Sequence, residues 1–132
     1  MMFGAFILMV AATAVSEPAI DCDNAMTQAD MNICSYRDYQ AADRDMNAQW
    51  KITAAAMKSA DAAGYAPDDG RPGYHATLLE AQRAWLKYRD AHCRSDAYRM
   101  RGGSGEPLLN NGCRATLTRA RTIQLKDLAE EN

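Results

Sequence analysis

Cysteine is the residue in this chain whose chemistry is most constrained by spacing. Cys22, Cys34, Cys93 and Cys113 make an even set of four. No two are spaced as Cys-x-x-Cys, which argues against a zinc ribbon or a thioredoxin-like redox pair. In an oxidising compartment such a set pairs into disulfides. Three connectivities are open to it. Local pairing, Cys22–Cys34 and Cys93–Cys113, closes the shortest loops and is preferred, each bridge contributing about 3 kcal/mol by loop entropy.

The other reactive residue types do not assemble into a site. His75 lies in or beside a loop and His92 precedes a cysteine, neither with a second ligand at metal spacing. Asp68, Asp69, Gly70 and Glu80 fall short of a calcium loop, because Tyr74 stands where its glycine belongs. The run Gly102-Gly103-Ser104-Gly105-Glu106 lacks the last glycine of a nucleophile elbow and the Lys-Ser/Thr of a phosphate loop. Asp43 and Asp45 are two apart on a helix and face different ways. The chain therefore reads as a non-enzyme, with no catalytic, cofactor-binding or metal-binding residue and no cofactor.

Polar residues inside otherwise apolar stripes are the more telling chemistry. Tyr39, Ala42, Met46, Trp50, Thr53 and Met57 recur at helical spacing, as do Leu78, Gln82, Trp85, Arg89 and Cys93. Asp43 and Asn47 sit among the first set, Gln82 and Arg89 among the second. A turn centred near Asp68 makes the two helices antiparallel, with Asn47 opposite Arg89, Asp43 one turn away, and Trp50 opposite Trp85 or Leu86. A buried arginine is tolerated only when paired. Asp43, Asn47, Gln82 and Arg89 are thus expected to form a structural polar network that fixes register.

The elements that position these residues are helices. Thr27, with Asp30 three residues on, is a capping-box-like start. The first helix runs from there to about Ala60–Ala63, and a break at Ser35–Asp38 would divide it. Pro67, Asp68, Asp69, Gly70 and Pro72 make Gly64–Gly73 a loop. A second helix follows from Tyr74 to Met100, ended by Arg101–Glu106, with Pro107 preventing continuation. Asn110 or Asn111 is expected to cap a third helix, which turns Cys113, Leu117, Ala120, Gln124 and Leu128 to the core. No segment alternates as a strand does. The expected fold is all-α: a helical hairpin of two long helices plus a third, C-terminal helix, with two disulfides.

Phe3–Val15 is an almost unbroken apolar run, too short for the ~20 residues of a membrane span and of signal-peptide length. No Lys or Arg precedes it. Cleavage sites are offered after Ala14 and after Ser16, so residues 1–16 read as a signal peptide and 17–132 as one domain; a buried core helix is the alternative. Asp21 before Cys22 disfavours a lipid anchor. A periplasmic or secreted protein, without stable membrane insertion after cleavage, is expected. Charge is divided along the chain: eleven acidic against five basic residues from Glu17 to Glu80, then ten basic against three acidic from Arg83 to Lys126. The acidic half suits a cationic protein, the basic half an anionic polymer.

Asp21-Cys22, Ala25, Thr27, Gln28, Met31, Asn32 and Cys34 resemble the opening motif of the lysozyme-inhibitor LprI-like family. Ala42, Asp43, Asn47, the block Ala81–Ala91 followed by Cys93, and Gly102-Gly103-Ser104, Cys113, Leu117, Thr118 and Arg121 are similar to its later motifs. The resemblance spans nearly all of the mature chain. It implies an exported, helical, cysteine-bearing protein, and the family is named after a lipoprotein that inhibits lysozyme, from which this chain departs in lacking the anchor cysteine. The expected function is inhibition of a lysozyme-type cell-wall hydrolase by protein–protein contact, through the loops Gly64–Gly73 and Arg101–Asn111. The alternative is a non-catalytic protein holding an anionic envelope polymer with Arg94, Arg99, Arg101, Arg114 and Arg119. No nucleic-acid partner is expected.

Overall fold

The structure, a computed structural model, describes residues 11–14, 16 and 19–131. Most of the expected leader, and so its reading as a signal peptide, lies outside the described residues.

Three helices carry the fold: α1 (Gln28–Ala62), α2 (Tyr74–Ala97) and α3 (Glu106–Glu131), with short 3-10 turns at Cys22–Asn24 and Tyr98–Met100. No strand occurs among the described residues. Thr27 caps α1, its hydroxyl oxygen accepting the Asp30 N–H at 3.1 Å. The helix then runs unbroken for 35 residues. Neither Gly nor Pro interrupts it, and the Ser35 hydroxyl, at the suspected break, donates to the Asn32 carbonyl at 2.8 Å without opening the helix. Gly64, in the left-handed region at φ 72°, ends it.

The start of α2 is capped from outside. Gly73 precedes the helix and has no side chain to offer. The Asp61 carboxylate, from the last turn of α1, accepts the N–H groups of Tyr74 at 2.8 Å and His75 at 3.0 Å. It also suits the positive end of the α2 dipole.

The third helix departs from expectation in two ways. It begins at Glu106, not at an Asn110 or Asn111 cap, so Pro107 lies in its first turn. Proline is tolerated there because that turn's N–H groups have no helical acceptor anyway. Glu106 instead reaches back to accept the Gly102 N–H at 2.8 Å. Its buried side is also rotated from the predicted stripe: Asn111, Ala115, Thr118 and Leu125 are buried, while Ala120 and Gln124 are exposed. Two polar residues in that stripe hid it from a search for apolar periodicity.

The bundle runs up, down, up. Asn32 donates to the Ser104 carbonyl, Asn111 to Ser35, Arg114 to the Tyr39 hydroxyl and Thr53 to the Leu125 carbonyl, so contacts advance together along α1 and α3. These two helices are parallel, and α2 is antiparallel to both. The broadest packing is between α1 and α3, where Ala42 and Ala115, each 1% exposed, let the backbones approach. Beside it lies the core of Met46, Met57, Leu78 and Leu125, covered by Trp50, Trp85, Leu86 and Tyr74. The disulfides are Cys22–Cys34 and Cys93–Cys113. The first ties the entering segment to α1, the second ties α2 to α3.

Candidate functional site

Arg89 is 4% exposed, at the middle of the bundle. A guanidinium there must be compensated on every side. Its Nη1 lies 3.5 Å from Asp43 Oδ1, its Nε donates to Asp90 Oδ1 at 2.9 Å, and its Nη1 donates to the Thr118 hydroxyl at 3.3 Å. The plane also packs 5.3 Å from the centroids of Tyr39 and Trp85, a favourable cation–π arrangement. Asn47, itself exposed, donates to the other Asp43 oxygen at 3.2 Å.

Of the four residues expected to form one network, three are joined: Asp43, Asn47 and Arg89. Gln82 belongs to a neighbouring group. Its amide nitrogen points at the Met46 sulfur at 3.6 Å, and its oxygen accepts from Arg121 Nε at 2.9 Å. Sequence reading missed Asp90, Thr118, Tyr39 and Arg114 as partners. Arg114 covers Tyr39 at 3.9 Å from the ring centroid and donates to its hydroxyl at 2.7 Å. Asp90 adjoins Arg89 in sequence and was findable. Thr118 and Arg114 depend on the α1–α3 packing, which periodicity does not reveal. The arrangement locks three helices together.

At one end of the bundle, the α1–α2 loop projects Tyr65, 71% exposed, and Asp68. Next to them Asp69 pairs with Arg71 at 2.5 Å, and this hydrogen bond holds the Asp69 carboxyl below its usual range. Beneath the loop, between α2 and α3, opens a cleft of about 670 Å³, with Met57, Pro67, Tyr74, Leu78, Leu128 and Arg121 in its walls. At the other end, much of the expected Arg101–Asn111 loop is helical, since α3 already includes Glu106–Asn111.

The proposed basic set is also redistributed. Arg99 pairs with Asp96, Arg114 with Asp90 and Arg119 with Asp38. Asp38 is held below the usual carboxylate range by its hydrogen bond to Arg119. Arg94 and Arg101 have no carboxylate partner among the described residues. Arg83, Lys87 and Arg94 follow one exposed side of α2, turned away from the buried Leu78–Gln82–Arg89–Cys93 stripe, and Arg101 stands beyond the helix, after the Tyr98–Met100 turn. Arg101 stacks on Tyr98 at 4.5 Å.

The histidines are spent on rings: His75 lies 6.5 Å from Trp50, and His92 stacks on Tyr88 at 5.3 Å. Among the described residues no group of three His, Cys, Asp or Glu side chains is placed to hold a metal ion. No helix there is long and apolar enough to cross a membrane.

Comparison with known proteins adds two findings. Residues 21–125 match the family model described as Lysozyme inhibitor LprI. An uncharacterized protein of Rhizobium meliloti (strain 1021) is 42% identical over 129 residues, covering 96% of this chain and 93% of the relative. No solved structure gives a significant match.

Proposed function

Because the chain belongs to the lysozyme inhibitor LprI family, we propose that it is an exported, non-catalytic protein that inhibits a lysozyme-type cell-wall hydrolase by direct contact. The family match over residues 21–125 is the observation that carries this reading. In it, residues 1–16 are the cleaved leader and the remainder acts outside the cytoplasm, where two disulfides persist. The contact surface is the α1–α2 loop. Tyr65 offers a large exposed aromatic and Asp68 an exposed carboxylate. Aromatic anchors of this kind dominate protein interfaces, and the acidic first half of the chain favours approach to a cationic enzyme.

The test is clearance of a cell-wall suspension by a c-type lysozyme, with and without the oxidised mature protein. Dose-dependent protection is expected, and Tyr65→Ala with Asp68→Asn should weaken it at least about tenfold. No protection at large molar excess against several lysozyme types would overturn the reading. Full protection by the double variant would move the contact elsewhere.

A second reading is favoured by one observation: the exposed row of Arg83, Lys87 and Arg94 on α2, with Arg101 just beyond it, lacks carboxylate partners among the described residues. It suits an anionic envelope polymer. Binding that survives high salt, or that persists in a fourfold glutamine variant of the row, would rule it out.

A further inference from the structure

The cleft beneath the α1–α2 loop is built around an uncompensated cation. Arg121 lies in its wall, and its contacts differ in kind from those of Arg89 and Arg114. Those two are paired with carboxylates. Arg121 is held by neutral amides: Nε donates to Gln82 Oε1 at 2.9 Å and Nη1 to Gln124 Oε1 at 3.0 Å. Its Nη2 is covered from solvent and has no hydrogen-bond acceptor. Among the described residues no carboxylate forms an ion pair with this guanidinium. Burial alone lowers its affinity for its proton, yet a guanidinium remains charged at any physiological pH. A half-buried charge and an orphaned donor thus stand together in the wall of an apolar cleft.

We propose that this cleft binds a small amphiphilic carboxylic acid, an apolar body carrying one carboxylate. Gln124 is exposed, so its amide oxygen is readily exchanged for another acceptor. A carboxylate taking that place meets Nη1, and a small turn of the guanidinium brings the covered Nη2 into the same fork, the geometry in which arginine binds carboxylates best. It supplies both the missing counter-charge and the missing acceptor. Met57, Tyr74, Leu78 and Leu128 face the apolar body. The cleft's volume, about 670 Å³, is within the range of small-molecule sites. Charges on the rim set the orientation. Asp69 is already neutralised by Arg71, and Glu80 repels an acid group. The ligand therefore places its carboxylate at Arg121 and its tail along the apolar wall. The site borders the proposed inhibitory loop, and its ligand chemistry does not rest on hydrolase inhibition.

The experiment uses the oxidised, mature protein titrated with three probes: decanoate, decanol and acetate. Binding is read by calorimetry and by tryptophan fluorescence, since the Trp85 ring centroid is 6.0 Å from the Arg121 guanidinium carbon. Decanoate is expected to bind at least about tenfold tighter than decanol, the usual gain from a charge-assisted hydrogen bond, with acetate failing to saturate. Arg121→Gln should erase the preference for the acid and retain decanol binding. Ala81→Trp, which fills the cleft from an exposed position on α2, should block both probes. Equal affinity for acid and alcohol, binding of neither, or decanoate binding undiminished by Ala81→Trp would each overturn the proposal. Should Arg121→Gln fail to fold, the acid-to-alcohol ratio on the unaltered protein and the Ala81→Trp variant still decide it.

Discussion

Removing the carboxylate of Asp61 should unfasten α2 from the end of α1. The side chain accepts two N–H groups of the first turn, at 2.8 and 3.0 Å, and no residue of the loop itself performs that task. Loss of a helix cap costs about 1 kcal/mol, and loss of a negative charge at a helix N-terminus a further 0.3–1 kcal/mol or so. Asp61→Ala should therefore destabilise by about 1.5–2 kcal/mol. For a domain of this size that lowers Tm by roughly 5–10 °C. Asp61→Asn keeps one acceptor and should lose about half as much. An independent route to the same contact exists at Gly73, where a Cβ would stand 2.7 Å from Asp61 Oδ1. Gly73→Ala must displace the carboxylate and should cost a similar amount in the unaltered protein. In the Asp61→Ala background it should cost nothing. Calorimetric melts of the two single variants and the double variant form the cycle. Additive losses, or an Asp61→Ala melt within 1 °C or so of the parent, would refute the reasoning. If the loop is the inhibitory surface, Asp61→Ala should also weaken lysozyme protection well below the melting range.

Four further outcomes are expected. Arg89→Met should cost about 2–3 kcal/mol in denaturant titrations, below the full value for a broken buried pair because Asp43 and Asp90 keep access to water. Thr53→Val removes both the 2.7 Å bond from a fully buried hydroxyl to the Leu125 carbonyl and the acceptor of the Gln49 amide at 3.2 Å and should lower stability by about 1–2 kcal/mol. Replacing Cys93 and Cys113 together by alanine should cost about 3 kcal/mol and show as a lower urea midpoint with no change in helical content. Asp38 has its folded pKa depressed by Arg119, so its contribution is complete above the unfolded value near 4 and fades as pH falls through the lower folded value; Asp38→Asn should flatten that acid limb in pH-dependent unfolding, and an unchanged limb would assign it to other carboxylates.

Sequence reading recovered what depends on local chemistry. The Thr27 cap, the α1 and α2 stripes, the loop at Gly64–Gly73 and the disulfide pairs are all set by neighbours close along the chain. The juxtaposition of Asp43 with Arg89 followed from one assumption, an antiparallel pair about a central turn. What escaped was governed by α3. Its packing on α1 joins residues more than seventy positions apart, as Thr53 and Leu125 do, and its buried stripe contains Asn111 and Thr118, which periodicity counts as polar. The Asp61 cap escaped for the same reason: its partners are set by how two helices meet. Gln82 pairs away from Asp43 and Arg89 because Arg121, its partner, comes from α3.

The two disulfides also fix how the molecule is connected as a covalent graph. Cys22–Cys34 closes on α1's own segment and Cys93–Cys113 joins α2 to α3, so neither bridge spans the α1–α2 loop. That loop is the sole covalent link between α1 and the other two helices. A single nick between Gly64 and Gly73 divides the oxidised chain into two pieces, one helix and a disulfide-linked pair, held without a covalent bond by the packing of α1 on α3 and α2 and by the arginine network. The molecule is thus a two-part assembly carried on one chain, and its most exposed segment is where it would come apart.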